Sequence, residues 1–146
     1  MWHGESQLRV AGDGNCLYTA VRSAQRGQAA DAALGAALRV ELAEWIHRER
    51  AALQEQHGAQ VVDAAWDRIV SGAWAEDEEV KLLSQMLGAS IAVHGVMHHG
   101  VDRGTPVVVV YDRGNDVFGA RPKAPVYHIL NESNVHYSVL TRVSSS

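Results

Sequence analysis

The hydrophobic period of this 146-residue chain changes once, near Ser90. Upstream, apolar side chains recur at about every third or fourth residue, the spacing that covers one face of an α-helix. Downstream they alternate or gather into short β-branched runs, as strands require. Helices first and strands second is the order of an α+β fold, with the helices packed on a small and mainly antiparallel sheet.

Punctuation in the first half separates the helices. Asn15 is a candidate N-cap for a helix from about Cys16 to Ala24, and Gly27 stops it. A second helix starts near Asp31 and ends at Gly58, with Leu34, Leu38, Leu42, Trp45, Ile46 and Leu53 on an inward face. A third carries Val62, Ala65, Trp66, Ile69 and Val70 and stops at Ser71-Gly72. A fourth begins after Trp74 with Glu76-Asp77-Glu78-Glu79, carboxylates that suit the positive end of a helix dipole. It buries Leu82, Leu83, Met86 and Leu87, and Gly88 closes it. Trp74, a large aromatic at a helix start, is expected in the core, and the acidic run is expected to be a solvated face.

In the second half, strands are expected from Ser90 through Ile91 and Val93, over Val107 to Tyr111, over Val126 to Leu130, and over Val135 to Leu140. The Val107 run is apolar throughout, which predicts burial on both faces. The last two strands are joined by Asn131-Glu132-Ser133-Asn134, a stretch with turn chemistry. No repeat or linker interrupts the chain, so residues 1–146 are expected to be one domain, with a core over about 8–141 and a tail at 142–146.

Composition excludes some functions. A formal charge of −4 without a basic stripe disfavours binding to nucleic-acid phosphates and favours a basic partner surface. No apolar run approaches the roughly 18–20 residues of a membrane span, and Met1-Trp2-His3-Gly4-Glu5 lacks a charged-then-apolar signal pattern. The single cysteine cannot form an internal disulfide, so packing must supply the stability, as suits a reducing compartment.

That cysteine lies in Asp13-Gly14-Asn15-Cys16-Leu17-Tyr18, after a tight polar turn and at the start of the first expected helix. A thiol there meets backbone N–H groups and the positive end of the helix dipole, both of which favour the nucleophilic thiolate. The same N–H groups, with those of the Gly14-Asn15 turn, could bind an oxyanion beside the sulfur. A free cysteine is as often a small core residue. A core cysteine, however, has no need of the Asp-Gly-Asn turn.

A thiol nucleophile needs an imidazole, which can be distant in sequence. His3 is near a terminus, and His47 and His57 read as solvated. His94, His98 and His99 cluster near a strand end and a Gly-rich loop; no cysteine is close and the nearest carboxylate is Asp102, so no metal site is expected. His128 sits within a strand. His136 follows the polar turn and opens the last strand, where it can stand at the rim of the sheet. Positions 134, 136 and 138 share one strand face, so Asn134 or Ser138 could approach and orient its ring.

Together these residues resemble the ovarian tumour (OTU) family of cysteine proteases, most of which are deubiquitinases. Three blocks carry the resemblance: Asp13 to Tyr18 followed by Ala20-Val21; Trp74 through Ser84 with Leu87, Ile91 and Val93; and His136-Tyr137 on the last strand. The resemblance implies a papain-related fold, with Cys16 as nucleophile and His136 as general base. It implies that the loop of Asp13 shapes the oxyanion hole, with N–H groups from Gly14 and Asn15. The family often has Asn or Asp two residues after the histidine, where this chain has Ser138. A hydroxyl stabilises an imidazolium less than a carboxylate does, so Ser138 serves weakly, Asn134 or another residue replaces it, or a dyad suffices.

The activity so implied is hydrolysis of peptide or isopeptide bonds after the C-terminal glycine of ubiquitin. The alternatives are a catalytically weak or inactive ubiquitin-binding module, or a protease acting on a ubiquitin-like modifier or a viral polyprotein. The expected partner is ubiquitin or polyubiquitin, met by a monomer that needs no cofactor. The expected setting is cytoplasmic, or a host cytosol if the chain is a pathogen or symbiont effector.

Overall fold

The computed structural model describes residues 6–8, 14–27, 31–96, 106–117, 125–132 and 136–141. In chain order the elements are β1 (Ser6–Leu8), α1 (Cys16–Arg26), α2 (Ala32–His57), α3 (Ala59–Ser71) and α4 (Asp77–Leu87), then β2 (Ser90–Val96), β3 (Pro106–Asp112), β4 (Asn115–Val117), β5 (Val126–Glu132) and β6 (His136–Thr141). The helices end where the sequence punctuates them. The Asp31 side chain caps α2 by accepting from the Ala33 N–H at 2.9 Å. Gly72 ends α3 at φ 80°, a left-handed conformation that a Cβ would strain.

Every residue of α1 from Cys16 to Ser23 is buried. A helix covered on all sides lies inside the fold, and α1 packs against α2 as well as against β5 and β6. Leu38, Leu42, Ile46 and Leu53 of α2, Val62, Ala65 and Ile69 of α3, and Leu82 and Leu83 of α4 share one core with it, together with Ile91, Tyr111 and Ile129 from the sheet. Each such aliphatic side chain withdrawn from water contributes about 2 kcal/mol, an upper bound given residual burial in the unfolded chain.

The sheet order is β1-β6-β5-β2-β3-β4. All neighbours are antiparallel except β2 and β5, which pair parallel with Ile91 opposite Tyr127 and Val93 opposite Ile129. The expected, mainly antiparallel sheet is therefore present with one parallel seam. Two reversals leave edge strand β4 running in the direction of β2, so the chain crosses back and enters β5 in that same direction.

Several expectations need correction. Strands β1 and β4 were not foreseen, because three residues are too few to display a period. β3 is buried on both faces only over part of its length: the adjacent Val110 and Tyr111, which point to opposite faces, are buried, whereas Val108 is 51% exposed. β4 pairs only with Val110 to Asp112, so the earlier part of β3 extends beyond it. Trp74 is 39% exposed, not core. It lies in the extended link between α3 and α4, where successive side chains point in opposite directions and the neighbouring Ala75 takes the inward place. Val70 is likewise exposed at the end of α3, and Trp66 is half-buried.

Candidate active site

Cys16 is the first residue of α1 and is 2% exposed. It packs into the core cluster, and it stands at a helix N-terminus directly after the Gly14-Asn15 turn. Asn15 occupies the N-cap position, and its carbonyl oxygen accepts from the Thr19 N–H at 2.9 Å. Its side chain does not cap the helix, contrary to expectation. Asn15 Oδ1 instead accepts from Arg39 Nη1 at 2.7 Å, so a buried cation has outcompeted the backbone N–H groups of α1.

Arg39 is 8% exposed and carries five hydrogen bonds. Its Nε donates to Ile69 O at 2.8 Å; Nη1 donates to Gly14 O at 2.6 Å as well as to Asn15 Oδ1; Nη2 donates to Arg68 O and Ala73 O, each at 2.8 Å. The guanidinium also lies 5.1 Å from the ring centroid of Tyr18, two residues beyond the thiol. Arg68 O and Ile69 O belong to the last turn of α3, the negative end of its dipole, where a cation is stabilised. The turn and this helix end also meet directly. A Cβ on Gly14 would fall far inside van der Waals contact distance of Gly72 O and 3.3 Å from Ala73 O. Glycine is required at position 14 by close approach.

The same end of α3 is fastened to α4. Arg68 donates from Nε to Glu79 Oε2 at 2.8 Å and from Nη2 to Glu79 Oε1 at 2.6 Å, a bidentate pair. Glu79 is wholly buried and also accepts from the Glu76 N–H at 3.0 Å. The acidic run is thus not one solvated face: Glu76 and Asp77 are exposed, but Glu79 is an internal anchor. Burial pushes the Glu79 carboxyl above its ordinary value against the pull of Arg68, while the hydrogen bonds from Glu79 hold the Arg68 guanidinium still more firmly in its charged form.

The remaining predicted residues stand as follows. His136 and Ser138 are backbone positions of β6, paired with Glu132 and Leu130, and β6 packs against α1, which Cys16 heads. Asp13 and Asn134 lie outside the described residues, as do His98, His99 and Asp102. His47 is exposed, as expected. His57 is not simply solvated; it is half-buried and pairs with Gln85 Oε1 at 2.8 Å. His94 and His128, on the parallel strands β2 and β5, meet through Nε2 and Nδ1 at 2.9 Å. Register puts them on the sheet face opposite Ile91 and Ile129. Burial holds the His94 imidazole below its ordinary value. Among the described residues no group of three or more His, Cys, Asp or Glu could hold a metal ion, and no helix is long and apolar enough to cross a membrane.

Sequence reading missed Arg39 and the Arg68–Glu79 pair. Arg39 did leave a signal. It falls at helical spacing with Gly35, Leu42 and Ile46, a charge on the apolar face of α2.

Residues 11–137 match the family described as OTU-like cysteine protease. No curated protein sequence matches the chain. Solved structures do. An OTU deubiquitinase from Wolbachia pipientis wMel superposes with a TM-score of 0.66 at 17% identity, covering 100% of this chain and 93% of that one. The same kind of Wolbachia domain bound to ubiquitin gives 0.63 at 16% identity, covering 94% and 95%. The Hazara virus OTU bound to ubiquitin gives 0.60 at 19% identity, covering 96% of this chain and 82% of that one. At such identities the likeness establishes a shared fold.

Proposed function

Because this chain belongs to the OTU-like cysteine protease family, we propose that it is a deubiquitinase that hydrolyses peptide or isopeptide bonds after the C-terminal glycine of ubiquitin. One observation carries the reading: the sole cysteine heads the central helix, behind a glycine-containing turn that a buried arginine holds in place. The ubiquitin-bound Hazara virus and Wolbachia domains, similar to this chain in fold, support ubiquitin as the acyl donor.

In the proposed mechanism the Cys16 thiolate attacks the glycine carbonyl carbon. Backbone N–H groups of the Gly14-Asn15-Cys16 segment, in a loop that Asp13 helps to shape, stabilise the oxyanion. The carbon–nitrogen bond breaks as His136 gives its proton to the departing lysine amine, leaving a thioester on Cys16. Water, deprotonated by His136, then hydrolyses the thioester and regenerates the thiol. Ser138 or Asn134 orients the imidazole. The enzyme acts as a monomer on ubiquitin or polyubiquitin in a reducing cytoplasm, or in a host cytosol as an effector.

The test is incubation with ubiquitin carrying a C-terminal electrophile, followed by the full set of diubiquitin linkages. A covalent adduct at Cys16, absent in Cys16→Ala, and cleavage abolished in that variant are expected. Robust cleavage by folded Cys16→Ala would refute the nucleophile assignment. Ubiquitin binding without an adduct would favour the non-catalytic module, the reading to which Ser138 at the third position lends weight. Reaction only with probes built on another modifier would move the substrate and keep the chemistry.

A further inference from the structure

We propose that Arg39 is a positioning residue for the nucleophile turn, fixing the direction of the Asn15 N–H and keeping the Asn15 side chain off the start of α1. Its catalytic consequence rests on the thiol-protease reading above; the positioning itself rests on geometry alone.

A guanidinium has five N–H donors in a rigid planar fork, and all five of those on Arg39 are engaged. Three of the acceptors, Arg68 O, Ile69 O and Ala73 O, belong to α3 and its exit, which Arg68–Glu79 fastens to α4. The other two, Gly14 O and Asn15 Oδ1, belong to the turn before the thiol. Arg39 therefore ties a mobile kind of element, a turn, to a braced one.

The two bonds to the turn have separate effects. In a trans peptide the carbonyl and the following N–H point in opposite directions. Pinning Gly14 O toward Arg39 consequently aims the Asn15 N–H away from it. If that peptide turned over, a carbonyl oxygen would replace the donor, and it would repel an oxyanion. The bond to Asn15 Oδ1 acts on the other donors. An N-cap asparagine ordinarily folds its side-chain oxygen onto the N–H groups of the first helical turn. Those groups, on Leu17 and Tyr18, adjoin the Cys16 N–H, and Arg39 keeps a partly negative amide oxygen from lying beside an oxyanion held there.

Stability alone does not call for this arginine. A well-packed aliphatic residue at an apolar-face position is commonly as stabilising as a buried charge, whose desolvation offsets its bonds. Lysine could not substitute, since its three donors radiate from one atom and cannot span acceptors on both sides of the fork.

The experiment uses Arg39→Lys and Arg39→Gln in the full chain, each checked for cooperative unfolding. On a fluorogenic ubiquitin C-terminal amide, kcat is expected to fall about 100-fold, the scale of losing or misplacing one oxyanion donor. KM should stay within about three-fold, because the interaction serves the transition state rather than binding. Alkylation of Cys16 by iodoacetamide displaces iodide at a tetrahedral carbon and forms no oxyanion. Its rate should change by less than about three-fold, since it reports the thiolate alone. Equal losses in alkylation and hydrolysis, or hydrolysis near the parent rate, would overturn the proposal. A crystal structure of Arg39→Lys tests the positioning whether or not the parent cleaves ubiquitin. Asn15 Oδ1 moved onto the first turn of α1, or a turned Gly14-Asn15 peptide, supports it; an unchanged turn overturns it. A rearranged turn in a protein whose parent form has no ubiquitin hydrolysis would reject the deubiquitinase reading while leaving the positioning role intact.

Discussion

Gly35→Ala is a substitution whose sign depends on which of two opposed effects is larger. Gly35 lies in α2, and on an isolated helix replacing glycine by alanine stabilises by about 1 kcal/mol. Here a Cβ on Gly35 would sit only 2.7 Å from both the backbone N and Cα of Thr19 in α1, whereas ordinary Cβ contacts begin near 3.4 Å. These are backbone atoms inside a buried helix and cannot swing aside, so α1 and α2 must separate by roughly 0.7 Å, the difference between those distances. A gap of about that size forfeits a quarter to a half of each van der Waals contact across the seam. Overpacking of this kind costs about 1–3 kcal/mol, and the tight backbone contact puts this site at the upper end. Subtracting the helix gain leaves a net loss of about 2 kcal/mol, or about 4–8 °C in Tm for a domain of this size. Urea unfolding of parent and variant, with exposed Ala36→Gly as a control for helix propensity, measures it. An unchanged or raised midpoint for Gly35→Ala would refute the argument that this contact sets the helix separation. The contact is one helical turn from Arg39 and one from Cys16, so activity should fall with stability.

Two further outcomes are expected. Burial depresses the His94 imidazole below its ordinary value of 6.5, so the folded protein resists a proton that the unfolded chain accepts; the stability His94 contributes is complete above about pH 6.5 and is lost as pH falls through its folded value. Urea midpoints measured from about pH 7.5 down to 5 should therefore decline more steeply for the parent than for His94→Gln, and parallel slopes would remove His94 from the account. Glu79→Gln strips the carboxylate from a guanidinium that is itself only 18% exposed, and should cost about 3 kcal/mol in urea unfolding; a loss under about 1 kcal/mol would mean that Arg68 re-pairs with Glu76.

The helices were legible because their start and stop signals are local. Asp31 as a cap and Gly27, Gly58, Gly72 and Gly88 as ends need no tertiary information to act. The strands that span several residues were legible for the same reason, and their pairing was not. The parallel seam between β2 and β5 depends on a crossover that no residue pattern within either strand encodes. Cys16 could be singled out because a polar turn and a lone thiol are neighbours in sequence. Arg39 and Glu79 escaped because what makes them important is distant. Charged residues are solvated by default, and only carbonyl oxygens arriving from Gly14, Arg68, Ile69 and Ala73, or a guanidinium from another helix, reverse that default. Trp74 failed in the opposite sense, because side-chain size is a guide to burial only when the backbone turns that side inward.

Strand β1 pairs with β6 so that Ser6 lies opposite Thr141. Entry to and exit from the fold therefore sit side by side on one rim. Thr141 is five residues along β6 from His136, about 17 Å at the rise of an extended strand. Ser6 and Thr141 are therefore both well clear of the His136 backbone. Joining Ser6 to Thr141 through a short bridge would yield a cyclised or permuted domain whose new openings could be cut elsewhere without disturbing that strand.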